Sequence, residues 1–79
     1  MKIELRLYAS LAVFLPEKTG GNSLTMEVND GSTIRDLLQQ MKVPKKQIKV
    51  IFLNGIHAKE GDILKDGDRV GIFPAVAGG

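Results

Sequence analysis

The sequence closes on Gly78-Gly79, and the reactive group it offers there is the α-carboxylate of Gly79. Two residues without a Cβ admit backbone conformations closed to other residues and can thread a narrow channel. Pro74 follows the last apolar run, Val70 to Phe73, and has no N–H to give a β-ladder. "PAVAGG", residues 74–79, therefore reads as an extended, flexible arm projecting from a domain of residues 1–73. A carboxylate at neutral pH is inert towards nucleophiles. ATP can convert it to an acyl-adenylate, from which AMP leaves readily. A sulfur donor then yields a thiocarboxylate, and an amine yields an amide. Both routes need a second protein.

Other reactive centres are scarce. The chain has no Cys, which excludes disulfides, a thiolate nucleophile and a Cys-based metal site. Any sulfur it carries must then ride on the C-terminal carboxyl. The one histidine, His57, has no Cys to pair with and reads as a surface residue. "TGGNS" lacks both the Gly-Lys-Ser/Thr ending and the following helix of a phosphate loop. Glu60 with Asp62, and Asp66 with Asp68, fall in Gly-containing turns, where Asp-Gly is turn chemistry first. The expectation is a protein that does not catalyse alone and binds no metal or cofactor, with ATP used by an activating partner.

Seventy-nine residues, 43% hydrophobic and 25% charged, make one domain with a small core. No apolar stretch approaches the roughly 20 residues of a bilayer span. Lys2, Glu4 and Arg6 interrupt the first apolar residues, unlike a signal peptide. A cytoplasmic protein without a membrane partner is expected. The formal charge is +2, with Lys42, Lys45, Lys46 and Lys49 gathered in "MKVPKKQIK". That segment lacks the aromatic platform of a single-strand binder, so it reads as a solvated loop and no nucleic-acid partner is expected.

The elements that must hold up the arm are legible from periodicity. "KIELRLY" alternates strictly and predicts a half-buried strand with Ile3, Leu5 and Leu7 inward. "ASLAVFLP" predicts a short helix capped by Ser10 and running to Leu15. After the loop "EKTGGN", "SLTMEV" predicts a second strand, antiparallel to the first. "STIRDLLQQM" predicts the main helix, with Thr33 as N-cap and Asp36 reaching back in a capping box. Its apolar stripe is Ile34, Leu37, Leu38 and Met41, and Pro44 ends the helical region. "IKVIFLNGI" predicts a third strand and an Asn54-Gly55 hairpin into a short fourth, Ile56 to Ala58. Ile63 and Leu64 are expected to plug the core, and "RVGIF" is the last strand. The sum is an α+β fold: a mixed sheet of about five strands wrapped on one main helix, plus a short helix.

This order, with "DGDRVGIFPAVAGG" and the terminal glycine pair, resembles the ubiquitin-like β-grasp sulfur carriers (the MoaD and ThiS types) over the whole chain. The pattern is most similar to the small subunit of molybdopterin synthase. The resemblance implies that an E1-like enzyme adenylates Gly79 and that sulfur displaces AMP to give a thiocarboxylate. It implies that Gly78 gives the tail access to an acceptor's channel, the acceptor being the large synthase subunit. The thiazole-forming carriers typically lack the segment matching "SLAVFLPEKTGG". "PAVAGG" is also similar to carriers that feed cysteine synthesis, and Ile72-Phe73-Pro74-Ala75 stands where molybdopterin carriers more often have Phe-Phe-Pro-Pro. Cysteine or thiazole synthesis, and modification of protein lysines, are the alternatives.

If Ile3, Leu5, Leu7, Ile51, Leu53, Val70 and Ile72 face the helix, then Tyr8, Phe52 and Phe73 face outward. A contiguous exposed apolar patch marks an interface. Tyr8, Phe52, His57 and Phe73, with Val76 on the tail, are the expected partner-binding residues, ringed by Arg6 and Arg69.

Overall fold

The computed structural model describes residues 1–16 and 22–75. Five strands form one mixed sheet: β1 Lys2–Leu7, β2 Ser23–Glu27, β3 Ile48–Leu53, β4 Ile56–Ala58 and β5 Arg69–Pro74. Their order across the sheet is β2-β1-β5-β3-β4. β1 and β5 run parallel at its centre; the other neighbours are antiparallel. The helix α1, Ile34–Gln40, covers one face. The expected α+β roll is the observed fold.

Alternation does what β1 promised. Ile3, Leu5 and Leu7 are buried, as are Val70 and Ile72 of β5 and Ile51 of β3. They meet Ile34, Leu37 and Leu38 of α1. The N-terminus of α1 is closed by a capping box. Asp36 N–H donates to Thr33 Oγ1 at 3.2 Å, and Thr33 N–H donates to Asp36 Oδ2 at 3.0 Å.

The C-terminus of α1 ends in a Schellman motif. Val43 N–H donates to the Leu38 carbonyl at 3.0 Å, and Lys42 N–H donates to the Gln39 carbonyl at 3.1 Å. Lys42 sits at the left-handed position, φ 60°, which favours glycine. Relief of that strain outweighs the extra freedom of glycine in the unfolded chain by about 0.5 kcal/mol. Lys42→Gly is therefore expected to raise the melting temperature by about 2–4 °C. A fall in calorimetry would show that the Lys42 side chain contributes more than its backbone costs.

Two details differ from the sequence reading. The segment after β1 is a 3₁₀ helix, Ala9–Phe14, whose N-cap is Tyr8; Ser10 does not cap it. The turn starts before Ser10 because Tyr8 N–H is held by the Ile72 carbonyl and Ala9 reverses the chain at φ 50°. Leu64 plugs the core as expected, but Ile63 is 62% exposed. Ile63 forms an isolated bridge with Thr33, and in extended chain adjacent side chains point to opposite sides.

"DGD" fastens the start of β5 to the rest of the sheet. Lys2 N–H donates to Asp66 Oδ1 at 2.8 Å, and Gly67 N–H donates to the Lys2 carbonyl at 2.7 Å. Gly67 takes φ 86°, open to glycine. Asp68, 9% exposed, accepts from Lys65 N–H at 2.7 Å and from Asn54 Nδ2 at 2.9 Å. Asn54 Oδ1 accepts in turn from Arg69 N–H at 2.9 Å. Asn54 and Gly55 both have positive φ, as the β3–β4 turn needs. One asparagine thus forms the hairpin tip and clamps it to β5.

Candidate protein-docking face

The sheet has one face on α1 and one face open. On the open face, β1 presents Tyr8 at its end, β5 presents Arg69, Gly71 and Phe73, and β3 presents Val50 and Phe52. Cross-strand register sets them side by side: Arg6 opposite Gly71, Gly71 opposite Phe52, Phe52 opposite His57, and Val50 opposite Phe73.

The expected residues come together. Tyr8 and Phe73 stack with centroids 4.3 Å apart and planes 3° from parallel. Phe52 meets Phe73 edge-on at 5.7 Å and His57 edge-on at 5.9 Å. Four rings, one just past the end of β1 and one each from β3, β4 and β5, form one continuous surface, and Phe73 keeps 38% of its area exposed. Such ring pairs contribute about 0.5–1.5 kcal/mol each beyond area burial, so they hold one another in place.

Gly71 and Val50 complete the surface and went unremarked in the sequence. A Cβ on Gly71 would lie 3.4 Å from Tyr8 Cε2, in ordinary contact, so the Tyr8 ring lies directly over the glycine. A glycine at an outward position of a strand is the signal that would have found it. Around Gly71 lies a shallow cavity of about 310 Å³ whose walls include Arg6, Tyr8, Phe52, Arg69 and Phe73. Arg6 and Arg69 do ring the aromatic surface. Arg6 Nε pairs with Glu4 Oε2, and its guanidinium is held above its ordinary value first by the hydrogen bond to Glu4 and then by one to Tyr8.

The acidic turns are structural. Asp62 Oδ2 accepts from Lys59 N–H at 3.1 Å. Glu60 pairs with Lys45 Nζ at 2.9 Å and Arg35 Nη2 at 3.2 Å. Lys45, chiefly, holds the Glu60 carboxyl below the usual range, with partial desolvation acting against it. Among the described residues no cluster of three or more His, Asp or Glu side chains could hold a metal ion. Nor is any helix among them long and apolar enough to cross a membrane.

β5 stays in the ladder through Pro74, which lies opposite Ile48, and Ala75 N–H donates to the Gln47 carbonyl at 2.8 Å. Gly78, Gly79 and Val76 of the expected site lie outside the described residues.

A helix clasped by a mixed sheet, with parallel central strands and an aromatic outer surface on the strand that leads to a glycine pair, is the design of a ubiquitin-like β-grasp protein. The chain belongs to the Mut7-C ubiquitin family, whose model matches residues 1–78. It is 32% identical over 71 residues to the molybdopterin synthase sulfur carrier subunit of Chlamydomonas reinhardtii, covering 80% of this chain and 86% of that one. Solved structures share its fold. SAMP1 from Haloferax volcanii is 23% identical, covers both chains fully and superposes with a TM-score of 0.74. A complex of subunits 1 and 2 of molybdopterin-converting factor from Helicobacter pylori includes a chain 24% identical, fully covered, with a TM-score of 0.59.

Proposed function

We propose that this protein is a sulfur carrier. An E1-like enzyme joins the Gly79 carboxylate to the α-phosphate of ATP, releasing pyrophosphate. A sulfur nucleophile then attacks the acyl carbon and releases AMP, leaving a thiocarboxylate. The carrier docks on the large subunit of molybdopterin synthase, which takes the sulfur for molybdopterin. The observation that carries this reading is the ordered aromatic surface Tyr8–Phe73–Phe52–His57, built on the strand that leads to Gly78-Gly79. The curated relative named as a sulfur carrier subunit supports it. In this reading Gly78 admits the tail to the acceptor, Val76 adds an apolar contact beside the docked surface, and Arg6 and Arg69 steer an acidic partner.

A second reading is protein modification, in which a lysine amine attacks the same adenylate. The full-length fold match to SAMP1, the small archaeal modifier protein 1 of Haloferax volcanii, supports it.

Intact mass decides between them. With an E1-like partner, ATP and a sulfur source, the carrier should gain the mass of exchanging one oxygen for sulfur. Conjugates to lysine-bearing proteins would support the modifier. Deletion of Gly79 should abolish either product while leaving the circular dichroism spectrum unchanged. No product from the intact chain with a competent partner would sink both readings.

A further inference from the structure

The sheet has two edges. β4 is three residues long; β2 is five, and nothing among the described residues pairs with its outer side. The direction of its free groups can be read from the ladder. Met1 and Val28 exchange both hydrogen bonds, at 3.0 and 2.9 Å, and Leu7 N–H donates to the Asn22 carbonyl at 2.9 Å. Antiparallel pairing alternates, so residues 22, 24, 26 and 28 turn their N–H and C=O groups towards β1. Ser23, Thr25 and Glu27 turn theirs away from it.

Exposed edges are usually blunted by Lys, Pro or a bulge. β2, "SLTME", has none of these, and its pairing with β1 runs without a register shift. Its inward residues Leu24 and Met26 are only partly buried.

We propose that this edge pairs with the β2 edge of a second copy of the chain, in antiparallel register about a two-fold axis at Thr25. The observations favour a second copy because the strand is complementary to itself. Thr25 meets Thr25, Ser23 meets Glu27, and Leu24 meets Met26. All six outward N–H groups, three from each copy, then find carbonyls. No like charges face each other. The charges also complement: Glu27 of one copy lies across the small Ser23 from Arg6, the cross-strand neighbour of Ser23. The two-fold axis is perpendicular to the sheet, so the pair is a closed, isologous dimer with one continuous sheet. The aromatic rings of the docking face lie beyond β2 on the far strands and at the end of β1, so they stay free. An interface this small is a weak, reversible one.

Sedimentation and amide exchange of the intact protein over a concentration series test the dimer. The expected result is concentration-dependent dimerisation with new protection at the Ser23, Thr25 and Glu27 amides, while Leu24 and Met26 do not change. Thr25→Pro removes an N–H that β1 does not use, as edge positions tolerate. It should weaken association by about tenfold or more, since two hydrogen bonds are lost per dimer. If that variant fails to fold, Thr25→Lys decides, because it sets like charges opposite each other. A protein monomeric at solution-NMR concentrations, or a dimer that survives the folded variant unchanged, overturns the proposal. Protection at other residues, as a different partner surface would give, overturns it as well.

Discussion

Phe73→Ala is expected to weaken docking on the proposed large-subunit partner by about 2–4 kcal/mol, roughly 30- to 1,000-fold, with the fold intact. Phe73 lies at the centre of the aromatic surface, stacked on Tyr8 and edge-on to Phe52. Truncation removes both ring contacts at once and loosens the two neighbours that frame the cavity over Gly71. Its cost to stability is smaller, because the ring is partly exposed in the free protein and only its pair contacts are lost, about 1–3 kcal/mol in all. Titration calorimetry against the large subunit checks the first figure and thermal melting the second. A normal affinity in a folded variant would remove this face from the docking site. Adenylation by the E1-like partner, measured in parallel, shows whether both partners use it.

Asp68→Ala should be the costliest polar substitution in the domain, at about 3 kcal/mol, and should lower the melting temperature by more than about 10 °C. The carboxylate is buried and accepts from Lys65 N–H and Asn54 Nδ2. Removing it leaves both donors without partners and frees Asn54, which also holds Arg69 N–H. The hairpin tip and the start of β5 would loosen together. Asp68→Asn keeps one acceptor oxygen but sets an amide NH₂ against a donor, so its loss should fall between those of wild type and Ala. A melting temperature within a degree of wild type for the Ala variant would show that water replaces both bonds.

Much of this fold is written in local pattern. The strict alternation of "KIELRLY" and the i, i+3, i+4 spacing of Ile34, Leu37 and Leu38 each allow one buried face. The capping box and the Asn54-Gly55 turn are chemical signatures a few residues long. The aromatic surface followed from the same alternation, because Phe52 and Phe73 stand next to core residues and so must point the other way. What failed was decided at a distance. Ser10 lost its capping role to a hydrogen bond between Tyr8 and Ile72, 64 residues apart in sequence. Ile63 was turned outward by its bridge to Thr33. The place of Gly71 beneath the Tyr8 ring is set by strand pairing between distant segments, so it shows only in the folded chain.

The parallel pair at the centre of the sheet has a consequence for how the molecule is made. Among the described elements β1 comes first in the chain and β5 last, and each lies between two other strands. Closing them joins residues such as Leu5 and Val70 across nearly the whole chain, a high contact order that slows folding. On the ribosome, β1 and β2 can pair early, but the core stays open until β5 has cleared the exit tunnel. The Tyr8–Phe73 stack forms only when β1 and β5 have met, so the aromatic surface reports closure of the whole sheet: a partner that reads it reads a folded domain.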